Sequence, residues 1–321
     1  MLFSILFSFL LTFQTSHQTE HNTLYSVTAL NENSAIAVGE KGTIARTTNG
    51  GKKWNYTHSV GKQSNPLFSV CFVDKKHGWI VGGNGVILKT SDGGITWKNL
   101  DSSSNYTLTC IRFADTANGW IVGSRGLILK TSDGGKTWNR QYSDITDDFW
   151  SVSVINSSTA WISGASGTII KTTDGGAIWN KSKSGFTNSF FSIIFTDSLN
   201  GWSCGGYGSI INTTDGGNKW QPQNTLEGFI YFKTNNFHFG IHFPNAHTGW
   251  VVGNSGVIIK TTNGGKNWID QTNDTGEVLH SCFALNNKVA WIVGADGVIL
   301  KTTNGGNKWE TQVSNSTDEK N

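Results

Sequence analysis

The 321 residues combine few charged residues, 15%, with many aromatic residues, 12%, and 39 Gly. This composition is typical of short strands joined by tight turns, and it excludes a disordered chain and argues against a helical protein. A formal net charge of +3 is too small for a nucleic-acid-binding surface on a chain of this length.

The N-terminal segment predicts export. Its first 13 residues are apolar apart from Ser and Thr, and polar residues follow from Gln14. Such a segment is too short for a stable membrane anchor and has the length of the apolar region of a signal peptide, although no Lys or Arg precedes it. We expect residues 1–19 to be a signal peptide and the mature protein to be periplasmic, on the cell surface or secreted, without stable membrane insertion. The alternatives are a wrongly assigned start or an apolar first strand.

An eight-residue pattern, Thr-[Ser/Thr]-[Asp/Asn]-Gly-Gly-x-x-Trp, recurs seven times, at intervals of 43, 41, 41, 41, 48 and 41 residues. Its third position is occupied by Asn49, Asp92, Asp133, Asp174, Asp215, Asn263 and Asn304, and its last by Trp54, Trp97, Trp138, Trp179, Trp220, Trp268 and Trp309. In each repeat, three short strand patterns precede this motif, with a Gly-rich hairpin between the second and third, and a fourth strand follows it.

Four short strands (A to D, in chain order) that recur about every 41 residues are typical of propeller blades. The sequence therefore predicts an all-β, seven-bladed propeller with four antiparallel strands per blade, over residues 20–314. The predicted blades span residues 23–58, 66–102, 107–143, 148–184, 189–225, 237–273 and 278–314, followed by a flexible tail over residues 315–321.

The eight-residue pattern resembles the Asp-box, or BNR repeat, which forms the corner between strands C and D in propellers such as sialidases and some endoglucanases. Blades that read GWIVGGNGVILKTSDGGITW are also similar to those of the photosystem II stability/assembly factor family. That resemblance implies an exported propeller that binds an exported segment of a membrane protein. Arginines clustered on one face are associated with binding in that family. This chain has Arg46, Arg112, Arg125 and Arg140, without an evident cluster.

Alignment of the seven repeats to one another predicts which residues of strand A face the central channel. If side chains alternate strictly along the strand, every second residue faces the channel and the others lie between blades. The first residue of each strand A would then surround the channel mouth. We interpret these residues as a partner-binding surface, or alternatively as a layer covered by the D-to-A connections: Leu24, Leu67, Leu108, Phe149, Phe190, His238 and Leu279. The second residues would lie in the core between blades: Tyr25, Phe68, Thr109, Trp150, Phe191, Phe239 and His280.

The longest interval, 48 residues, places seven additional residues in the connection that leads into blade 6. This insertion contains Phe229, Tyr231 and Phe232, which we expect either to extend the partner-binding surface or to cap the channel.

No catalytic constellation is evident. The chain lacks the arginine triad of sialidases, and no pair of carboxylates is singled out for glycoside hydrolysis. His238 and His242 would lie roughly 13 Å apart along one strand, which is too far to share a metal ion. We therefore predict a monomeric, non-enzymatic scaffold without cofactor or metal that binds a protein or exported peptide segment and no nucleic acid. The alternative is a carbohydrate-active or carbohydrate-binding propeller.

Overall fold

A computed structural model describes residues 22–58, 65–223, 237–271 and 273–312. Within these ranges, 28 strands form seven four-stranded antiparallel sheets, which confirms the predicted seven-bladed propeller. The predicted signal segment 1–19, the tail 315–321 and the insertion residues Phe229, Tyr231 and Phe232 lie outside the described residues.

Each sheet is built from four consecutive strands. The A strands are β1 (Leu24–Ala29), β5 (Leu67–Phe72), β9 (Leu108–Phe113), β13 (Phe149–Val154), β17 (Phe190–Phe195), β21 (His238–His242) and β25 (Leu279–Ala284). The B strands are β2 (Ala35–Gly39), β6 (Gly78–Gly82), β10 (Gly119–Gly123), β14 (Ala160–Gly164), β18 (Gly201–Gly205), β22 (Gly249–Gly253) and β26 (Ala290–Gly294). The C strands are β3 (Thr43–Thr47), β7 (Ile87–Thr90), β11 (Ile128–Thr131), β15 (Ile169–Thr172), β19 (Ile210–Thr213), β23 (Ile258–Thr261) and β27 (Ile299–Thr302). The D strands are β4 (Asn55–His58), β8 (Lys98–Leu100), β12 (Asn139–Gln141), β16 (Asn180–Lys181), β20 (Gln221–Pro222), β24 (Ile269–Asp270) and β28 (Glu310–Thr311).

Four of the B-to-C hairpins contain a short 3₁₀ turn, at Glu40–Gly42, Gly83–Gly85, Asn254–Gly256 and Ala295–Gly297. In the part of the chain that the structure describes, no helix is long and apolar enough to cross a lipid bilayer.

The tip of every B-to-C hairpin holds one non-glycine residue in the left-handed backbone region, with φ between 49 and 58°. A glycine with positive φ follows each of them, as tight hairpin turns require. The seven tip residues are Lys41, Asn84, Arg125, Ser166, Tyr207, Ser255 and Asp296.

The ring closes by packing of blade 7 against blade 1. Strand β1 contacts both β5 and β25, so the A strands form a closed inner circle. At the closing junction, Trp54 and Trp291 pack edge to face, with ring centroids 5.6 Å apart. All four strands of blade 1 and of blade 7 come from contiguous sequence, so no described strand is exchanged between the two ends of the ring.

The core lies between adjacent blades and is formed largely by the B strands, whose residues are all buried. Between blades 2 and 3, Trp79 stacks on Phe113 with ring centroids 3.6 Å apart. Trp79 Nε1 also donates a hydrogen bond of 3.2 Å to the carbonyl of Gly134, in the C-to-D corner of blade 3. The large aromatic residues thus couple each blade to the next.

A basic residue before the C-to-D corner reinforces this coupling. Lys89 Nζ donates a 2.7 Å hydrogen bond to the same Gly134 carbonyl and lies 5.4 Å from the centroid of the Trp79 ring. Equivalent bonds run from Lys130, Lys260 and Lys301 to the corner of the following blade. These recurrent cations therefore connect each blade to the next.

Candidate functional site

A β-bulge changes the direction of the first side chains of every A strand. In blade 1, Leu24 pairs with Gly39 and Ser26 pairs with Val38, so Tyr25 is an additional residue without its own partner in the ladder. The same irregularity occurs in the six other A strands. Because one additional residue reverses the alternation, the faces of the first two residues are exchanged relative to strict alternation.

The predicted mouth surface formed by the first residues is therefore wrong. Leu24, Leu67, Leu108, Phe149, Phe190 and Leu279 are 0% exposed, and His238 is 4% exposed. Leu24 belongs to the same core cluster as Val27, which lies on the face between blades. These seven residues support the channel mouth from within the core and offer no surface to a partner.

The second residues of the A strands, and not the first, lie at the channel mouth. The prediction that the second residues lie between blades is therefore wrong. Six of them form a continuous arc of ring contacts, here called the aromatic arc, and all six are half-buried. Consecutive ring centroids lie 5.3 to 6.1 Å apart, in the order Trp150, Phe191, Phe239, His280, Tyr25 and Phe68. Because consecutive A strands contact one another around the inner circle, the aromatic arc lines the channel mouth along six of the seven blades.

The aromatic arc extends outward over blade 5. Phe237 lies 6.2 Å from Phe191 and 6.1 Å from Phe239, measured between ring centroids. It also lies 6.3 Å from Tyr207, the hairpin-tip residue of blade 5, whose side chain is exposed. An aromatic track therefore leads from the outer surface to the channel mouth.

The arc is open at blade 3, where its equivalent position is occupied by Thr109. The Thr109 hydroxyl is turned towards backbone and donates to the carbonyl of Phe149 at 2.7 Å, with the Val122 carbonyl at 3.1 Å. A small side chain thus leaves a gap between Phe68 and Trp150.

Beneath the arc, a ring of small polar residues faces the channel, as strict alternation predicts for these positions. Ser26 Oγ accepts a hydrogen bond from the backbone N–H of Val70 in the next blade, and Ser69 Oγ accepts one from Ile111. Ser151 makes the same bond to Ile193. The serine hydroxyls therefore accept hydrogen bonds from backbone N–H groups of the neighbouring A strand. This structural role explains the serines at these positions.

Burial keeps the histidines near the channel neutral. It lowers the pKa of His238 to about 4 and that of His280 to about 4. The pKa of His242 falls to about 3, mainly through burial and secondly through the positive charge of Arg112. Within the described ranges, no group of three His, Cys, Asp or Glu residues is arranged to hold a metal ion.

The four cysteines are free and buried. Burial is the main cause that raises the pKa of Cys71 to about 12, and it raises the pKa of Cys282 to about 12 as well. Thiols in this environment stay protonated and are poor nucleophiles.

A cationic and aromatic cluster on the rim of blade 3 is not evident from the sequence. The guanidinium carbons of Arg125 and Arg140 lie 5.6 and 5.9 Å from the Tyr106 ring centroid, and Arg140 also lies 5.3 Å from Tyr142. These residues come from a hairpin tip, a D strand and a D-to-A connection, so only the fold brings them together.

The family model of photosynthesis system II assembly factor YCF48 matches residues 57–144, 96–184 and 228–318 of the chain. Comparison with curated protein sequences finds no match.

Several solved structures share the fold. A structure described as YCF48 bound to D1 peptide is 19% identical, with a TM-score of 0.73 over 88% of this chain and 94% of that chain. YCF48 from Cyanidioschyzon merolae is 18% identical, with a TM-score of 0.71 over 90% and 98% of the two chains. A GH74 xyloglucanase from Xanthomonas campestris is 11% identical, with a TM-score of 0.74 over 94% of this chain and 56% of that chain.

At these identities the structural similarities show the propeller fold alone. The sequence match is stronger evidence, because the matched segments together cover more than half of the chain. The protein therefore belongs to the photosynthesis system II assembly factor YCF48 family.

Proposed function

We propose that the protein is a non-enzymatic scaffold that binds an extended segment of a partner protein at the channel mouth. The observation that carries this proposal is the aromatic arc. The arc consists of half-buried aromatic side chains that are in contact over six blades, so it presents a contiguous apolar surface. Contiguous apolar surfaces rich in aromatic residues are typical of recognition sites.

Family membership supports a peptide as the class of partner. The solved YCF48 structure contains a D1 peptide, which indicates that a propeller of this kind can hold a peptide segment. The track from Tyr207 through Phe237 to Phe239 adds a path along which such a segment could lie. Our proposal places the segment across the arc, with its apolar side chains against the rings.

Export forms part of this proposal. The apolar segment at residues 1–13 would direct the protein out of the cytoplasm, where it would meet exported segments of membrane proteins. N-terminal sequencing of the protein recovered from a cell-envelope fraction would show whether residues 1–19 have been removed.

The binding proposal is tested with an array of synthetic peptides. We expect wild-type protein to bind peptides rich in apolar and aromatic residues, and Phe239→Ser to lose about tenfold or more in affinity. Ile95→Ser is the matched control, because Ile95 is 67% exposed and lies in the C-to-D corner of blade 2, on the opposite face. Equal loss in both variants, or binding only to an oligosaccharide array, would contradict the proposal.

A further inference from the structure

Blade 3 places a single guanidinium in the central channel. Arg112 lies on β9, three residues after Thr109, and its positive charge acts on His242 of blade 6, as expected for a side chain that faces the channel. Its Nη1 atom donates hydrogen bonds to Ser69 Oγ at 3.1 Å and to the carbonyl of Ile111 at 2.8 Å. Because Ser69 follows Phe68 of the aromatic arc, the guanidinium is held just beneath the channel mouth.

This cation has no counter-ion in the described part of the chain. The ion pairs there join His77 to Asp74 and Lys308 to Glu310, and neither pair includes Arg112. Beneath the arc, the third and fifth residues of the A strands carry Ser, Thr, Cys, Gly, Ile, Phe, His and Arg112, but no carboxylate. His242, whose pKa is lowered by burial and by the positive charge of Arg112, stays neutral and adds no second positive charge beside the guanidinium.

A half-buried guanidinium without a carboxylate is suited to receive one. Arginine has five N–H donors, and only Nη1 of Arg112 is engaged by Ser69 and Ile111. Charge-assisted hydrogen bonds to a carboxylate are about twice as strong as neutral ones. The remaining donors could therefore bind an anion that reaches them through the mouth.

The gap in the aromatic arc lies on the same strand as this cation. Thr109 is the one mouth position without an aromatic or imidazole ring, and its hydroxyl is turned onto backbone. The entrance is thus least obstructed directly above Arg112.

We propose that Arg112 binds a carboxylate of the peptide segment that lies on the aromatic arc. The inference rests on the proposed function and adds the chemistry of the ligand, namely an acidic group next to apolar side chains. That carboxylate can be the C-terminus of the segment or an Asp or Glu side chain, and the experiment separates the two.

Three synthetic probes test the inference, with affinities measured by titration calorimetry. The first is a short N-acetylated peptide of Phe, Leu and Ala with a free C-terminal carboxylate. The second is its C-terminal amide, and the third is the amide with one Ala replaced by Asp. We expect the first or the third probe to bind at least about tenfold more tightly than the second, the equivalent of one charge-assisted hydrogen bond.

The variant Arg112→Gln should bind the acidic probes and the amide with equal affinity. Its affinity for the amide should stay within about twofold of the wild-type value, because the aromatic arc is retained. Arg112→Lys should keep part of the difference, since it retains the charge but loses the planar fork. Arg140→Gln removes a guanidinium from the rim and is the matched control. Thermal unfolding of each variant serves to check that its fold is intact.

The outcomes distinguish this inference from the proposed function. If all probes bind equally and Phe239→Ser weakens all of them, the channel mouth is a peptide site and the role of Arg112 is overturned. If no probe binds, both are overturned. If sodium acetate alone binds in an Arg112-dependent manner but does not compete with the peptides, Arg112 holds only free small anions and the inference is wrong.

Discussion

His280 lies in the aromatic arc, with its ring centroid 5.3 Å from that of Tyr25 and 5.6 Å from that of Phe239. Burial among these rings disfavours the charged imidazolium and lowers its pKa to about 4. A histidine at this position therefore behaves as a neutral aromatic residue at physiological pH. Protonation would place a charge in the apolar mouth.

This environment predicts a pH-dependent stability. In the unfolded chain His280 takes up a proton near its ordinary pKa of about 6.5, whereas in the folded protein it does so only near pH 4. The free energy of unfolding should thus fall as pH drops from about 6.5 to 4, by at most about 1.4 kcal/mol per pH unit for this residue. His238 and His242 have lowered pKa values and act in the same direction.

His280→Phe retains the ring contacts but removes the titrating group. We expect its free energy of unfolding, measured by urea denaturation at several pH values, to decline less steeply than that of the wild type between pH 6.5 and 4. Parallel curves for the two proteins would show that His280 does not contribute to the acid sensitivity.

At the scale of the strand, the bulge decides which residues are core and which are surface. Leu67 is 0% exposed and packs in the same cluster as Val70, whereas Phe68 is half-buried at the channel mouth. Alternation along the strand predicts the reverse. The bulge has no signature that the repeat alignment could reveal, because it is a backbone irregularity shared by all seven copies.

The arrangement predicts opposite consequences for two adjacent truncations. Leu67→Ala should lower the free energy of unfolding by about 2–5 kcal/mol, because it opens a cavity between blades. Phe68→Ala should lower it by less than about 1.5 kcal/mol, since it removes mainly ring contacts at the mouth, but it should weaken peptide binding. Urea unfolding of both variants tests this. A larger stability loss for Phe68→Ala would contradict the bulged register.

At the scale of the whole molecule, the fold could be predicted because one corner recurs at near-constant intervals and each strand B carries the same apolar pattern. The site could not be predicted in the same way. Arg125 and Arg140 meet on Tyr106 only through the fold, and the exchange of Leu67 and Phe68 depends on backbone geometry. A repeat alignment thus gives the architecture more reliably than the direction of individual side chains.

Ring closure predicts that the junction of blades 7 and 1 is as strong as an internal one. Lys301 Nζ donates to the carbonyls of Glu32 and Gly50 at 3.0 and 2.9 Å and lies 4.5 Å from the Trp291 ring centroid. Lys130, at an internal junction, donates to the carbonyls of Ser157 and Gly175 at 3.1 and 2.7 Å and lies 4.6 Å from the Trp120 ring centroid.

Because the two sets of contacts match, Lys301→Met and Lys130→Met should each lower the free energy of unfolding by about 1–2 kcal/mol. Differential scanning calorimetry of the two variants provides the comparison. A much smaller effect of Lys301→Met would indicate that blades 7 and 1 separate before the rest of the ring unfolds.

The hairpin tips show how a repetitive fold can still acquire individuality. Six different residue types occupy one backbone geometry at the seven tips, and each tip residue is followed by a glycine with positive φ. Since this geometry is set by the scaffold, an exchange of one tip residue changes charge or shape at one point of the rim and leaves the blades as they are. Substitutions at the tips can therefore change the surface of this face one blade at a time without altering the fold.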